Sequence, residues 1–146
     1  MLTIYAAGPM TGLTWEEARE WRAELASLLG REYTVLSPLR GLKLESKHEV
    51  LKSQYEHTWT QTAKAIVARD RWDVQRCDVM VACFLGARKA SIGTCIEFGW
   101  ADAMRKPIVT IMQDHNAHDH SMIREMSSYV VPTIEAAASV ITEMAL

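Results

Sequence analysis

Short apolar segments alternate with amphipathic helical segments along almost the whole sequence. The apolar segments occupy residues 2–7, 33–37, 78–86, 107–112 and 129–132, and helical periodicity covers 14–30, 60–77, 94–106, 122–126 and 133–146. Parallel strands need a crossover of a dozen or more residues between them, usually a helix. The alternation therefore predicts an α/β fold in which a five-stranded parallel sheet carries helices on both faces. Right-handed crossovers make a doubly wound sheet the simplest topology.

The first helical segment has clear signals at both ends. Thr14 and Glu17 have the spacing of a capping box, and Gly30 suits the position just beyond the last turn. The apolar residues predicted to share the face toward the sheet are Ala18, Trp21, Leu25, Leu28 and Leu29.

Residues 39–58 interrupt the alternation. They are polar and loosely helical, without a clear stop signal, and we interpret them as a long insertion over one end of the sheet. The sequence contains no internal repeat, low-complexity segment or linker, so a single domain is expected over residues 1–146.

Composition excludes several functional classes. The net charge is −2 with both signs interspersed, which argues against a surface for polymeric nucleic acid. The longest apolar runs are too short to span a bilayer, and the first residues lack the basic and apolar regions of a signal peptide. The three cysteines, which lack C-x-x-C spacing, are expected to be reduced thiols of a cytoplasmic protein.

Ligands of doubly wound sheets bind beyond the carboxyl ends of the strands. The loop after the first strand, "AAGPMTG" (6–12), contains Gly8 and Gly12, which allow close backbone approach to a ligand. A tight turn in which Pro9 fixes φ is the simpler interpretation of this loop alone. This loop lacks the G-x-G-x-x-G spacing, so a dinucleotide site is only weakly supported. The loop "GARKASIG" (86–93) lacks the P-loop pattern, which argues against an ATPase.

The segment "DHNAHDH" (114–120) combines three histidines with two aspartates. Imidazole and carboxylate groups are good metal ligands, so a metal site is one hypothesis. Because the spacing matches no known metal-binding helix motif, a polar loop at the substrate end of the sheet is the preferred interpretation.

Four carboxylates are candidates for chemistry. Asp70 and Asp73, flanked by arginines, are by themselves typical of a solvated, salt-bridged helix face, and Asp78 is expected to orient backbone at a strand entrance. Thr94 and Glu97 have capping-box spacing, which favours a structural role for Glu97. A helix amino terminus in the crevice would also hold a carboxylate ionised, so a structural role and a catalytic role both stay open for Glu97.

Three segments resemble one enzyme family when their order and spacing are taken together. "IYAAGPMTG" (4–12), "RDRWDVQRCDVMVACFLG" (69–86) and "SIGTCIEFGWADA" (91–103) resemble the nucleoside 2-deoxyribosyltransferases, whose relatives include hydrolases of nucleoside 5′-monophosphates. The resemblance covers roughly residues 2–131. It implies a flavodoxin-like sheet, a homodimer or larger homo-oligomer with shared active sites, and no metal or organic cofactor.

The resemblance also implies roles for individual residues. Glu97 matches the family nucleophile, which attacks C1′ of the sugar, and Asp70 matches the acid/base that protonates the leaving base. Tyr5 matches a tyrosine that orients the nucleophile. Gly8 and Met10 match the loop beside the base and sugar.

The segments that would hold the rest of the substrate follow from the same resemblance. His120 and Met122 match a segment that the neighbouring subunit inserts into the site. Ser91 stands where transferases of free nucleosides usually carry an aspartate and where the monophosphate hydrolases carry a serine. Its hydroxyl and the amides of Ile92 and Gly93 could accept a phosphate.

These implications predict an enzyme of nucleotide salvage that acts on small molecules. It would cleave the N-glycosidic bond of a 2′-deoxynucleoside or its 5′-monophosphate through a covalent deoxyribosyl-Glu97 intermediate, and then transfer the sugar to another nucleobase. The first alternative is an N-glycosidase of deoxynucleoside 5′-monophosphates. The second is a non-catalytic nucleotide-binding module, against which the presence of both Asp70 and Glu97 argues.

Overall fold

The computed structural model, which describes residues 1–55 and 58–145, contains the predicted strands and helices. The strands are β1 (Leu2–Ala7), β2 (Tyr33–Leu36), β3 (Val79–Cys83), β4 (Ile108–Ile111) and β5 (Tyr129–Val131). The helices are α1 (Trp15–Leu29), α2 (Ala63–Arg76), α3 (Ile92–Ala103), α4 (Ser121–Met126) and α5 (Ile134–Met144). No described helix has the length and apolar character needed to cross a membrane.

All four strand pairs are parallel, and the strand order is β2-β1-β3-β4-β5. This order confirms the doubly wound prediction and is that of a flavodoxin-like sheet, in which the direction of winding reverses between β1 and β3. Because the loops after β1 and β3 diverge there, a crevice is expected beyond the carboxyl ends of these two strands.

The two faces of the sheet carry separate apolar cores. Ile4 and Val81 pack with Leu25 of α1 and Ile141 of α5 on one face. On the other face, β1 and β3 pack against α2, α3 and α4, with Tyr5, Met80, Phe84 and Phe98 among the buried side chains. Since successive strand residues point to opposite faces, Ile4 and Tyr5 fall on different sides. Tyr5 thereby faces the helices that carry the candidate carboxylates.

Helix α1 confirms its predicted capping box and its predicted face except at Leu28, since Ala18, Leu25 and Leu29 are buried and Trp21 packs against the core. The Thr14 hydroxyl accepts from the Glu17 amide at 3.2 Å, and the Glu17 carboxylate accepts from the Thr14 amide at 2.7 Å. Leu28, however, is exposed, and the buried side chain in its stead is Arg22. The buried positions of this helix, at 18, 22, 25 and 29, follow helical spacing with a charged residue among them.

The insertion, predicted to be loosely helical and to lie over one end of the sheet, is hydrogen-bonded to the β1–α1 connection, and its described part forms no helix or strand. Backbone hydrogen bonds join Gly12 to Leu51 at 3.0 Å and Trp15 to Glu49 at 2.9 Å. Leu39 and Leu51 are buried there against Ala18. Residues 56 and 57 of the predicted insertion lie outside the described residues.

Replacing Gly8 by alanine is expected to destabilise the fold. A Cβ at this position would lie 2.9 Å from the Cys83 carbonyl oxygen and 3.0 Å from Cζ2 of Trp21. Overpacking of this kind costs about 1–3 kcal/mol in the free energy of unfolding, which urea denaturation measures. Gly99→Ala is the control, because no atom lies within 4 Å of the added Cβ in α3. We expect it to stabilise by about 0.5–1 kcal/mol, and equal effects of the two changes would contradict this account.

Candidate active site

A buried hydrogen bond joins the sheet to α3. The Tyr5 hydroxyl, on β1, donates to Oε1 of Glu97 at 2.7 Å. Tyr5 is fully buried, and Glu97 is 8% exposed. One carboxylate oxygen is thus held by the tyrosine, and the narrow exposure of Glu97 limits access to it from solvent.

Glu97 is not a capping residue. Helix α3 begins at Ile92, with Ser91 as its N-cap, and the Ser91 hydroxyl accepts from the Thr94 amide at 3.4 Å. The predicted start at Thr94 is therefore wrong, because Ser91 supplies the cap three residues earlier. Glu97 lies beyond the first turn, where no backbone amide needs its side chain.

The pKa of Glu97 is raised to about 8, chiefly by burial and also by the negative charge of Asp70. The hydrogen bond from Tyr5 and the positive charges of Arg22 and Arg69 act in the opposite direction. Burial, and then the charge of Glu97, raise the pKa of Tyr5 well above its ordinary value. Tyr5 consequently keeps its proton and remains a donor to Glu97 over the working range of pH.

Asp70 lies in the same buried region, on the inward side of α2. Nε of Arg69 donates to its Oδ1 at 2.9 Å, while Nη2 of Arg69 donates to the Pro38 carbonyl at 2.8 Å. Burial raises the pKa of Asp70, and Arg69 partly offsets this effect. The arginine therefore links a candidate acid/base to the loop that follows β2.

The hypothesis of a solvated acidic face on α2 is wrong. Asp70 and Asp73 are both buried, together with Val74, because these positions share the side of the helix that faces the sheet. Asp73 pairs with Arg76 at 2.8 Å and with Arg40. The salt-bridged part of the prediction is confirmed. Asp78 also behaves as predicted, since its Oδ2 accepts from the Thr3 amide at 2.7 Å at the strand entrance.

Arg22 is a buried cation, 3% exposed, that contacts backbone rather than a carboxylate. Its Nε donates to the Ala6 carbonyl at 3.0 Å, its Nη2 to the Gly8 carbonyl at 3.2 Å and its Nη1 to the Ala18 carbonyl. Burial lowers the pKa of Arg22 to about 10, so the guanidinium is still charged at neutral pH. It fixes the loop after β1 and supplies positive charge near Glu97.

His118 ties the loop after β4 to the start of α3. Its Nε2 accepts from the Ser91 amide at 2.8 Å, and its Nδ1 lies 3.0 Å from Oδ1 of Asn116. Its ring stacks on Phe84 at 3.9 Å between ring centroids. The segment 114–120 is therefore only partly the polar loop that the sequence predicts, because Asn116 and His118 are buried.

The remaining predicted site residues are placed in different ways. Gly93 lies in the first turn of α3, and Met10 packs against the Leu39 and Leu51 cluster. His120 caps α4 by accepting from the Met122 amide at 3.2 Å, and Met122 is 63% exposed. No described hydrogen bond joins either residue to the carboxylates of the same chain.

Neither metal ligation nor disulfide chemistry is indicated within the described part of the chain. No group of three or more histidine, cysteine or acidic residues there could hold a metal ion. Asp119 of the histidine-rich segment instead pairs with Arg124, at 2.5 and 2.9 Å. Cys77, Cys83 and Cys95 are free thiols.

Three residues of this site were missed by sequence reasoning. Arg22 could have been found as a charge on the apolar stripe of α1. Arg69 precedes the candidate acid/base directly, which is a weak signal. Nothing in the order of residues distinguishes His118 from the two other histidines of its segment. Arg22 and Arg69 lie close enough to Glu97 to shift its ionisation, and His118 contacts the start of the helix that carries Glu97.

The chain matches a family model described as nucleoside 2-deoxyribosyltransferase over residues 4–138. No curated protein sequence matches it. Among solved structures, a conserved protein from Enterococcus faecalis V583 is 20% identical, with a TM-score of 0.69 and 99% of both chains covered.

Two further structures share this fold. The CMP N-glycosidase BcmB of Clostridium botulinum is 17% identical, with a TM-score of 0.59 and coverage of 97% of this chain and 98% of its own. The molybdenum cofactor binding protein of Rippkaea orientalis is 16% identical, with a TM-score of 0.63 and coverage of 99% and 98%. At these identities the likeness shows the fold alone.

We expect Glu97→Gln to stabilise the protein increasingly as pH rises. The pKa of Glu97 is raised from 4.5 to about 8 by folding, so its stabilising contribution is complete below pH 4.5 and is lost as pH rises toward 8. Glutamine keeps the acceptor for Tyr5 without this loss. By about pH 7 the difference in unfolding free energy should have grown by roughly 3 kcal/mol, since each unit of pKa corresponds to about 1.4 kcal/mol.

Urea denaturation at several pH values measures this difference. Glu125→Gln, on the exposed surface of α4, is the control and should show no such trend. A difference between wild type and Glu97→Gln that stays constant from pH 5 to pH 8 would contradict the buried, titrating carboxyl group.

Proposed function

Because the chain belongs to the nucleoside 2-deoxyribosyltransferase family, we propose that it cleaves the N-glycosidic bond of a 2′-deoxynucleoside or of its 5′-monophosphate. The observation that carries this proposal is the Tyr5–Glu97 hydrogen bond, with Asp70 buried nearby. A held carboxylate beside a second carboxyl group of raised pKa is the pairing that retaining glycosidases use. The reaction requires no metal or organic cofactor.

In the first step, Glu97 is the nucleophile. Because Tyr5 holds Oε1, the other oxygen, Oε2, is available to attack C1′ of the sugar. An ester bond forms between Glu97 and C1′ as the bond from C1′ to the base nitrogen breaks, and the electron pair of that bond leaves with the base. Asp70 donates its proton to the departing base, which leaves neutral.

This step needs one proton on the pair of carboxyl groups, with Asp70 protonated and Glu97 ionised. Burial raises the pKa of both groups, and the negative charge of Asp70 opposes ionisation of Glu97. The pair therefore holds one proton over a range of pH below about 8. The positive charge that develops at C1′ favours the arrangement in which Glu97 carries the negative charge.

In the second step, an acceptor takes the sugar from Glu97. If another nucleobase attacks C1′, Asp70 removes its proton and the sugar is transferred, which fits a role in nucleotide salvage. If water attacks, the product is the free sugar or its 5-phosphate. Transfer is the first proposal, and hydrolysis of a 5′-monophosphate is the alternative, which Ser91 favours because it puts no negative charge beside a phosphate.

A non-catalytic nucleotide-binding module is a candidate of another class. One protein of the same fold is described as binding a molybdenum cofactor, so the crevice alone does not imply turnover. Binding would not need a carboxyl group held by a buried tyrosine. If binding is the function, Glu97→Gln should bind nucleotides as well as wild type does.

We also propose that active sites are shared between subunits. Apolar side chains of three neighbouring helices are exposed in the single chain: Trp72 of α2, Ile92 and Ile96 of α3, and Met122 of α4. His120, which caps α4, stands beside Met122. Burial of this surface against a second copy would remove apolar area from water and bring the α4 segment of one subunit toward the site of the other.

Glu97→Gln is expected to abolish turnover while leaving the protein folded. An amide cannot form the glycosyl ester, so the rate should fall by several orders of magnitude. Denaturing mass spectrometry of wild type with a deoxynucleoside or its monophosphate, without an acceptor, should show a sugar adduct on the peptide containing Glu97. Glu125→Gln should react as wild type does, and an active Glu97→Gln variant would end the enzymatic proposal.

Ser91→Asp is expected to discriminate between the two substrate types. A negative charge at the N-cap should weaken use of a 5′-monophosphate at least ~10-fold through repulsion, and should spare a free deoxynucleoside. Ser91→Asn is the matched control, since asparagine caps as well and carries no charge. Equal losses on both substrates, or equal behaviour of the two variants, would remove Ser91 from 5′ recognition.

Shared sites predict complementation between inactive subunits. Glu97→Gln and His120→Ala proteins, each inactive alone, should recover part of the activity when mixed and allowed to exchange subunits. Each hybrid would contain one site with Glu97 and His120 both intact. Light scattering should show an oligomer, and a fully active monomer would contradict this proposal.

A further inference from the structure

We propose that His118 is a positioning residue that fixes the start of α3 for recognition of the 5′ group of the substrate. This inference rests on the proposed function, because it assigns a role within the same site. His118 does not contact the carboxylates. It contacts the backbone of Ser91, which lies at the point where the helix that carries Glu97 begins.

The hydrogen bonds of His118 define a single tautomer. A backbone N–H can only donate, so Nε2 accepts from Ser91 at 2.8 Å and carries no proton. The proton of the neutral ring is therefore on Nδ1, which donates to Oδ1 of Asn116 at 3.0 Å. The orientation of the Asn116 amide is fixed in turn, because its Nδ2 donates to the Phe84 carbonyl at 2.7 Å and to Oε1 of Gln113 at 2.9 Å.

The surroundings of the ring make this hydrogen bond hard to replace. His118 is 2% exposed, and its ring lies on Phe84 with an interplanar angle of 14°. Burial lowers the pKa of His118, which favours the neutral ring at neutral pH. Ser91 is half-buried, so loss of the imidazole acceptor would leave its amide without this protein partner at a partly shielded position.

The hydrogen bond between Ser91 and His118 also determines which backbone amides at the start of α3 can face a ligand. The Ser91 amide is occupied by His118, and the Thr94 amide is directed to the Ser91 hydroxyl. The amides of Ile92 and Gly93 belong to the first turn and have no acceptor within the helix. A 5′-phosphate would therefore meet these two amides, held in a direction that His118 fixes through Ser91.

Two substitutions of His118 test its role as a hydrogen-bond acceptor separately from the packing of its ring on Phe84. His118→Gln places an amide oxygen near the position of Nε2 and retains an acceptor for Ser91. His118→Phe retains the flat ring on Phe84 and offers no acceptor. His115→Asn, at an exposed position of the same loop with φ 58, is the control for changing a histidine there.

Kinetics should show a split between KM and kcat. For a deoxynucleoside 5′-monophosphate, His118→Phe is expected to raise KM at least ~10-fold with kcat changed less than about twofold, since loss of the acceptor for a partly buried donor has an effect of that order. The KM for the free deoxynucleoside should change less than about threefold. His118→Gln should restore the monophosphate KM to within about threefold of wild type. Equal loss on both substrates, or no rescue by glutamine, would overturn the proposal.

Nuclear magnetic resonance tests the same proposal without turnover. In wild type at pH 7, ¹⁵N spectra should show a proton on Nδ1 of His118 and none on Nε2, and the Ser91 amide should be protected from hydrogen exchange. His118→Phe should lose that protection at least ~10-fold, and His118→Gln should keep it. A proton on Nε2, or unchanged protection in His118→Phe, would overturn the positioning role.

Titration with a deoxynucleoside monophosphate completes the test. The Gly93 amide resonance should move with the monophosphate but not with the free nucleoside, and His118→Phe should weaken this response at least ~10-fold. If wild type binds the monophosphate without cleaving it, the proposed reaction fails while these results still support the positioning role. A Gly93 response that is the same in wild type and His118→Phe would overturn it.

Discussion

The hydrogen bond between Tyr5 and Glu97 is the constraint around which the candidate site is arranged. It joins a central strand of the sheet to the second turn of α3, so the carboxylate has the rigidity of both elements. A carboxylate on a loop would lose orientation each time the loop moved. Here, one oxygen is fixed by a donor that burial prevents from ionising, and the other is left for chemistry.

This arrangement places several charges in a region from which water is largely excluded. Glu97, Asp70, Arg22 and Arg69 are close enough for their charges to shift one another's ionisation. Removing an ionised carboxylate from water is costly, and the raised pKa of Glu97 is the measure of that cost. A chain selected for stability alone would have an apolar residue at position 97. The structure therefore retains a destabilising group where the proposed chemistry requires one.

The sequence was sufficient to predict the order of strands and helices, because the spacing of apolar residues and the helix-capping residues are visible within short segments. It was less informative where a contact joins distant segments. Helix α3 is capped by Ser91 and not by Thr94, where the capping-box pattern is found. On the buried side of α1, the structure has Arg22, and Leu28 is exposed. The role of His118 depends on a backbone amide 27 residues away, which no spacing rule reveals. Tyr5, Asp70 and Glu97 were identified by resemblance, and the fold brings them together.

The attachment of the insertion to the rest of the fold has a consequence for how its own sequence could change. Residues 12–15 and 49–51 are joined through backbone groups, which every residue other than proline can supply in full. The side chains of the insertion that also hold it in place include the buried Leu39, Leu51 and Tyr55, and Arg40 and Lys47, which pair with Asp73 and Glu16. The exposed side chains of the insertion can therefore change while its backbone attachment, and the sheet and helices that carry the carboxylates, stay where they are.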